Sequence, residues 1–171
     1  MSNIRRVDGV YTKSQCGSSS VSITRPNDTT AYTAGDVFGT SPATNITFAN
    51  ILPEGEQHYY IVGIKLIYNT ASVISGMNTF TLHLFSSVPT AIADNTAWAL
   101  LSADKDKYLG SIEIDLPTDL GAVLITHKDN INIKRKLATS STTIYGQLET
   151  DGAFTPGAQD VIDITIETVG A

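Results

Sequence analysis

The chain has 171 residues, of which 42% are hydrophobic and 16% are charged, and its formal net charge is −6. This length fits one domain with a sizeable core, and the acidic balance argues against a dedicated nucleic-acid binder, which needs a clustered basic surface. The single cysteine, Cys16, excludes an intrachain disulfide framework.

No apolar run reaches the length of a membrane span, so the sequence predicts no membrane partner. The N-terminus also lacks the apolar stretch of a secretory signal peptide. We therefore expect the protein to fold in a cytoplasm.

The first twenty residues are expected to form an N-terminal arm, followed by a single domain over residues 21–171. Residues 15–20 are small or polar and are typical of a hinge. Two interpretations stay open, a disordered terminus or an arm that docks on a neighbouring subunit or a larger particle. The candidate contact residues of the arm are apolar or basic: Ile4, Arg5, Arg6, Val7, Val10 and Tyr11.

Strand-like segments follow at short intervals, separated by turn residues, and no βαβ rhythm is present. Pro26, for example, removes a backbone donor and ends the first segment. Eight or nine short strands with these connections predict an all-β fold of two packed antiparallel sheets. The predicted strands cover residues 21–25, 45–49, 57–69, 78–85, 108–116, 122–127, 131–138, 142–150 and 161–169.

The segment 57–69 is apolar on both faces. Period-2 alternation places Tyr59, Ile61 and Ile67 on the face opposite to Tyr60, Val62, Ile64, Leu66 and Tyr68. A strand of this kind is either covered on its second side or buried in an oligomer. Because the chain offers no long helix as a cover, we predict that Tyr59, Ile61 and Ile67 form an oligomer interface.

The stretch 88–107 is the longest irregular connection, which disfavours an up-and-down barrel. Asp94 could cap a short helical turn over residues 98–101. Trp98 is the only tryptophan and has two interpretations. It either closes an open edge of the core, which we favour, or offers an aromatic platform to a sugar.

The residues that could carry chemistry are dispersed. His58, His83 and His127 fall on three separate strands without metal-ligand spacing, and the latter two are expected to face solvent. The segment 104–107 (DKDK) lacks the turn glycine of a calcium loop and is expected to be a solvated turn.

Two pairs of acids share strand faces, Glu113 with Asp115 and Asp163 with Glu167. Paired catalytic acids need an apolar pocket that raises one pKa, whereas these pairs lie on the polar faces of half-exposed strands. We therefore predict no catalytic residue, metal or cofactor, and no enzymatic activity.

Six fragments, taken together, are similar to a known family: ITRPNDTTAY (23–32), SGMN (75–78), LHLF (82–85), ADNTAW (93–98), YLG (108–110) and GAFTP (152–156). They resemble the capsid decoration, or cement, proteins of tailed bacteriophages. The resemblance implies a jelly-roll-like sandwich that binds the major capsid protein on the capsid exterior as a homo-oligomer, dimer or trimer, after synthesis in the host bacterial cytoplasm. Under this hypothesis the arm binds the capsid. Two alternatives stay open, a carbohydrate-binding adhesion module using Trp98 and a tail or neck accessory protein.

Overall fold

The computed structural model describes residues 4–7, 10–13, 16–51, 58–137 and 141–170, the first two ranges by their backbone alone. These residues form strands and no helix, so none of them belongs to a helix that could cross a membrane. The strands are β1 (Ile4–Val7), β2 (Val10–Lys13), β3 (Cys16–Thr24), β4 (Asp36–Phe38), β5 (Ile46–Phe48), β6 (His58–Tyr68), β7 (Phe80–Phe85), β8 (Tyr108–Ile114), β9 (Thr118–Asp119), β10 (Leu124–Lys136), β11 (Ile144–Thr150) and β12 (Val161–Gly170).

The strands form two five-stranded sheets and an N-terminal hairpin, all with antiparallel pairing. β1 pairs with β2, the first sheet has the order β3-β12-β6-β10-β9, and the second has the order β4-β11-β7-β8 with β5 also on β11. With β4 and β5 taken as one strand and β9 set aside, the sheet orders are first-eighth-third-sixth and second-seventh-fourth-fifth. This is the order of a jelly roll, two Greek keys folded into a sandwich. The predicted all-β sandwich is confirmed.

The core lies between the two sheets and is built from alternating apolar residues. Phe80, Leu82 and Leu84 of β7 are fully buried, as the period-2 pattern predicts. Each such side chain contributes about 1.5–3 kcal/mol when it leaves water. Aromatic rings fill one end of this core, with Tyr32 packed against Phe38 and Phe154 at centroid distances of 5.8 Å and 5.2 Å.

A β-bulge in β6 corrects the predicted interface. Val62 is skipped in the pairing with β12, where Thr168 faces Ile61 and Glu167 faces Gly63. One extra residue reverses the side-chain alternation beyond it. Consequently Tyr59 and Ile61 point into the core and are 0% exposed, so neither lines a free surface. Ile67 is half-buried on the outer side of the first sheet and remains a candidate contact.

Other strand assignments also differ from the predictions. β3 begins at Cys16, so residues 16–20, assigned above to the arm and its hinge, pair with β12 in the first sheet. The predicted strands 122–127 and 131–138 are instead one strand, β10, with an irregularity where Asn130 and Asn132 have φ values of +58° and +51°. The short strands β4 and β9 carry no periodicity and were not predicted.

The connection between β7 and β8, residues 86–107, runs along the free edge of β4. The Val37 amide donates to the Thr96 carbonyl (2.9 Å), the Asn95 amide donates to the Val37 carbonyl (3.0 Å), and the Trp98 amide donates to the Gly35 carbonyl (2.7 Å). These bonds replace the predicted helical turn. They bring Asp94 to the end of β3 and Trp98 to the second sheet.

Candidate functional site

The Arg25 cluster (Arg25, Tyr32 and Asp94) lies where β3 ends. Arg25 is 2% exposed, and all of its guanidinium nitrogens donate. Nη2 donates to Asp94 Oδ2 at 3.1 Å and to Asp28 Oδ1 at 3.2 Å, and Nε donates to the Tyr32 hydroxyl at 3.2 Å. Nη1 donates to the carbonyl oxygens of Asp28 and of Gly157, the latter at 3.0 Å. Buried charge is tolerated only with such partners.

Asp94 completes the cluster from the β7–β8 connection. Its Oδ1 accepts from the Tyr32 hydroxyl and from the Gly39 amide at 3.0 Å. Burial raises the pKa of Tyr32, and the bond to Asp94 adds to the rise, so the phenol stays a neutral donor. Because the polar atoms of these three side chains are bonded within the protein, the arrangement joins four segments of chain instead of presenting reactive groups.

The His83 cluster (His83, Trp98, Tyr108 and Glu149) lies on the outer side of the second sheet. The His83 ring stacks on Trp98 with centroids 3.5 Å apart and planes 8° apart. Nε2 lies 2.6 Å from Glu149 Oε2 and Nδ1 lies 3.1 Å from the Tyr108 hydroxyl. A carboxylate only accepts, so Nε2 carries the proton and Nδ1 accepts from the phenol.

His83 is 5% exposed, which corrects the expectation that it faces solvent. Burial lowers the pKa of His83, although the hydrogen bond to Glu149 opposes this effect. His83 is buried because the β7–β8 connection places Trp98 over a face of β7 that would otherwise be exposed to solvent.

Trp98 forms a hydrogen bond through its indole N–H group in addition to stacking on His83. Its indole Nε1 donates to Gln147 Oε1 at 3.0 Å, and Gln147 Nε2 donates to Asn45 Oδ1 at 3.0 Å and to the Thr90 carbonyl at 2.8 Å. One ring face and the N–H group of Trp98 are therefore occupied. The side chain acts as a cover over the second sheet.

Asp104 corrects the expectation of a solvated turn at 104–107. It is 3% exposed and accepts from the Thr90 amide at 2.9 Å and from Lys107 Nζ at 2.7 Å. The hydrogen bond from Lys107, followed by that from Thr90, holds the pKa of Asp104 below its usual value. This carboxylate ties the two ends of the β7–β8 connection together.

The remaining candidate residues do not assemble into a site. His58 and His127 are exposed, as are Glu113 and Asp115. In the described part of the chain, no three histidine, cysteine, aspartate or glutamate residues are close enough to hold a metal ion. The candidate arm residues have side chains outside the described set: Ile4, Arg5, Arg6, Val7, Val10 and Tyr11.

No protein-family model matches the chain, and no curated protein matches it significantly. Among solved structures, a chain of the full particle of Israeli acute paralysis virus heated to 63 degrees is similar, with 14% identity over 91% of this chain and 71% of that one and a TM-score of 0.31. A chain of the pentamer of the same virus gives 11% identity, 90% and 88% coverage and a TM-score of 0.30. A third, from the crystal structure of this virus, gives 13% identity, 98% and 78% coverage and a TM-score of 0.30. At this level of similarity, the assignment of a jelly roll rests on the strand order of the chain itself.

Proposed function

We propose that this protein is a structural component of a tailed-bacteriophage virion, where it decorates the outside of the capsid and stabilises the shell by binding the major capsid protein. The observation that carries the proposal is the position in the fold of the fragments that resemble the decoration proteins. Four of the six fragments behind the sequence resemblance supply residues to the Arg25 and His83 clusters, and the other two pack beside the Arg25 cluster or against each other. These clusters hold together a jelly roll, an architecture found in viral capsid and lectin domains.

Four fragments form a connected set of contacts that includes Arg25. Fragments 23–32 and 93–98 supply the Arg25 cluster itself, and fragment 152–156 accepts a hydrogen bond of 2.9 Å from the Tyr32 amide at the Phe154 carbonyl. Fragment 75–78 packs against it so closely that a Cβ at Gly76 would lie 2.0 Å from the Ala153 carbonyl oxygen. Fragments 82–85 and 108–110 supply His83 and Tyr108 to the second cluster, and fragment 93–98 joins the two through Trp98.

The proposed contact with the capsid is broad and repeated. A shell offers many identical sites, so a modest contact per subunit becomes strong when a homo-oligomer engages several of them at once. In this proposal the β1–β2 hairpin is the capsid-binding arm. Each of its four apolar side chains would contribute about 1.5–3 kcal/mol before ordering costs are subtracted. The apolar and basic contact residues are Ile4, Arg5, Arg6, Val7, Val10 and Tyr11.

The geometry of Trp98 counts against the carbohydrate-binding alternative. A sugar platform needs a free ring and free polar neighbours, whereas Trp98 is stacked on His83 and bonded to Gln147. A tail or neck accessory protein would share this fold, and only its position on the particle would differ.

The test mixes the purified protein with expanded tailed-phage capsids that lack outer proteins and measures co-sedimentation. We expect saturable binding and a higher temperature of capsid disruption. Removal of residues 1–13 should weaken attachment while circular dichroism still reports a folded sandwich. Arg5→Glu should weaken attachment, whereas Lys105→Glu, an equal charge change at an exposed turn, should not. Absence of binding by the full chain, together with a tryptophan fluorescence response to host polysaccharide, would overturn the proposal.

A further inference from the structure

The outer face of the first sheet is the side of β3, β12, β6 and β10 that carries one register row of Ser20, Thr165, Lys65 and His127. The side chains in this row are half-buried or exposed. These side chains project from four long strands on the side of the sheet that faces away from the core. This face is therefore a broad and regular surface of the described part of the sandwich.

The next row of the outer face contains a notch with an acidic lining. Gly63 has no side chain, and a Cβ at that position would lie 3.1 Å from Glu167 Oε2 and 3.6 Å from Asp129 Oδ1. Two carboxylates thus converge over Gly63. Lys65 follows on the same face of the same strand. Within the residues that the structure describes, neither Lys65 nor Glu167 takes part in an ion pair.

We propose that a second copy of this chain docks on the outer face, related by a two-fold axis that lies in the plane of the interface, perpendicular to the strands, at the level of Ile64. Rotation about this axis exchanges positions 63 and 65 of β6. Lys65 of each copy then enters the partner's Gly63 notch and lies between two carboxylates that its own chain does not offer it. Opposite charges in such a fixed arrangement set both register and partner.

The same rotation lays β10 against the partner's β10 and β12 against the partner's β12. His127 then faces the partner's Asp129, and Thr165 faces the partner's Glu167. Asp129 also pairs with His127 of its own chain at 3.3 Å, so the partner's Lys65 joins a group of charges that is already ordered. The charged centre of the face is therefore self-complementary.

The size of the face is suitable for a dimer. Four strands spaced about 4.8 Å apart and about 30 Å long project roughly 600 Å². A corrugated surface has a larger accessible area than its projection, and a stable interface buries about 800 Å² per partner. No further element is needed to reach that size.

The test measures association by sedimentation velocity over a range of concentrations. We expect the wild-type protein to form dimers. Lys65→Glu places an acid against two acids and should raise the dissociation constant at least tenfold. Lys105→Glu makes the same charge change at an exposed turn away from this face and should leave the dimer intact. Circular dichroism and thermal melting check that both variants fold.

A charge exchange makes the test specific for the proposed register. Glu167→Lys alone should also weaken the homodimer, because the partner's Lys65 then meets a lysine in the notch. Mixing the Lys65→Glu chain with the Glu167→Lys chain restores opposite charges at both notches, so the mixture should form heterodimers. A monomeric or trimeric wild type, or dimerisation of Lys65→Glu equal to that of Lys105→Glu, would overturn the inference. Attachment to capsids is measured separately, so a monomeric result would remove the homo-oligomer from the proposed function without deciding whether the protein binds capsids.

Discussion

Arg25 and Asp94 stand 69 positions apart in the sequence and form an ion pair of 3.1 Å with side chains 0% and 4% exposed. Two charges at such depth are costly to bury unless their remaining donors and acceptors are also bonded. Here Tyr32 bonds to both members of the pair. The pair therefore fixes the β7–β8 connection to the end of β3, and with it the position of Trp98 over the second sheet.

Replacement of Arg25 should be among the most damaging single changes. Arg25→Met leaves the Asp94 carboxylate buried without its cation, which costs about 3–5 kcal/mol of unfolding free energy. Urea denaturation measures the loss. Asp28→Asn, at the exposed partner of the same arginine, is the control and should cost far less. Similar losses in the two variants would contradict the assigned role of the pair.

Ile61 and Ile67 should respond differently although both belong to β6. Ile61→Ala removes a side chain that is 0% exposed and should cost about 2–5 kcal/mol. Ile67→Ala, on the outer side beyond the bulge, should cost less than half as much. The comparison uses denaturant unfolding at a protein concentration low enough to exclude association. If Ile61→Ala were the milder change, the bulge at Val62 would be in the wrong place.

Tyr59 and Tyr68 provide a matched pair of buried phenols. In the described part of the chain the Tyr59 hydroxyl is buried without a hydrogen-bond partner, whereas the Tyr68 hydroxyl donates to Asp160 Oδ2 at 2.6 Å. Tyr59→Phe should therefore be neutral or raise the unfolding free energy by about 1–3 kcal/mol, since an unpaired polar group leaves the core. Tyr68→Phe should lower it. The thermal melting temperatures should move in opposite directions, and equal losses would count against this assignment.

His83 should make stability depend on pH. Burial lowers the pKa of His83 from its ordinary value of 6.5, so the unfolded chain binds the proton at a higher pH than the folded chain does. Stability from this group is therefore complete above about pH 6.5 and falls as the pH drops through the folded pKa. Glu149 and Asp151, which face His83 from β11 and the residue after it, oppose the shift but do not reverse it.

The measurement for His83 is the unfolding free energy from pH 7 to pH 5. The wild type should lose stability over this range, and His83→Gln should lose less. His127→Gln, at an exposed histidine, should retain the wild-type slope. An unchanged slope in His83→Gln would assign the acid sensitivity to another group.

The sandwich could be predicted from the sequence because apolar and polar residues alternate along most strands, and the apolar ones are the buried ones. β7 and β12 bury every second residue, and both were found within two residues of their observed starts. In β6 the alternation rule gave the wrong face for residues 59 and 61. The bulge at Val62 inserts one residue into the strand, and nothing in the composition of the segment marks where it occurs. The predicted interface at Tyr59 and Ile61 failed for that reason.

The side-chain clusters were beyond local patterns. His83 lies in a clean alternating strand, and its carboxylate partner, Glu149, is 66 residues away. Arg25 is the last residue of a predicted strand, but its burial depends on Asp94 in the β7–β8 connection. That connection has no regular periodicity, so its path could not be predicted from the sequence. The sequence feature that could have pointed to this cluster is the resemblance, because Arg25 and Asp94 both lie within the fragments that carry it.

The most direct test of the account is a cryo-electron microscopy map of capsids incubated with this protein. We expect density for a two-sheet jelly roll on the outer surface of the shell, repeated at equivalent positions of the major capsid protein and weakened when residues 1–13 are removed. Bare capsids at saturating protein concentration, or density confined to the tail or neck, would contradict it.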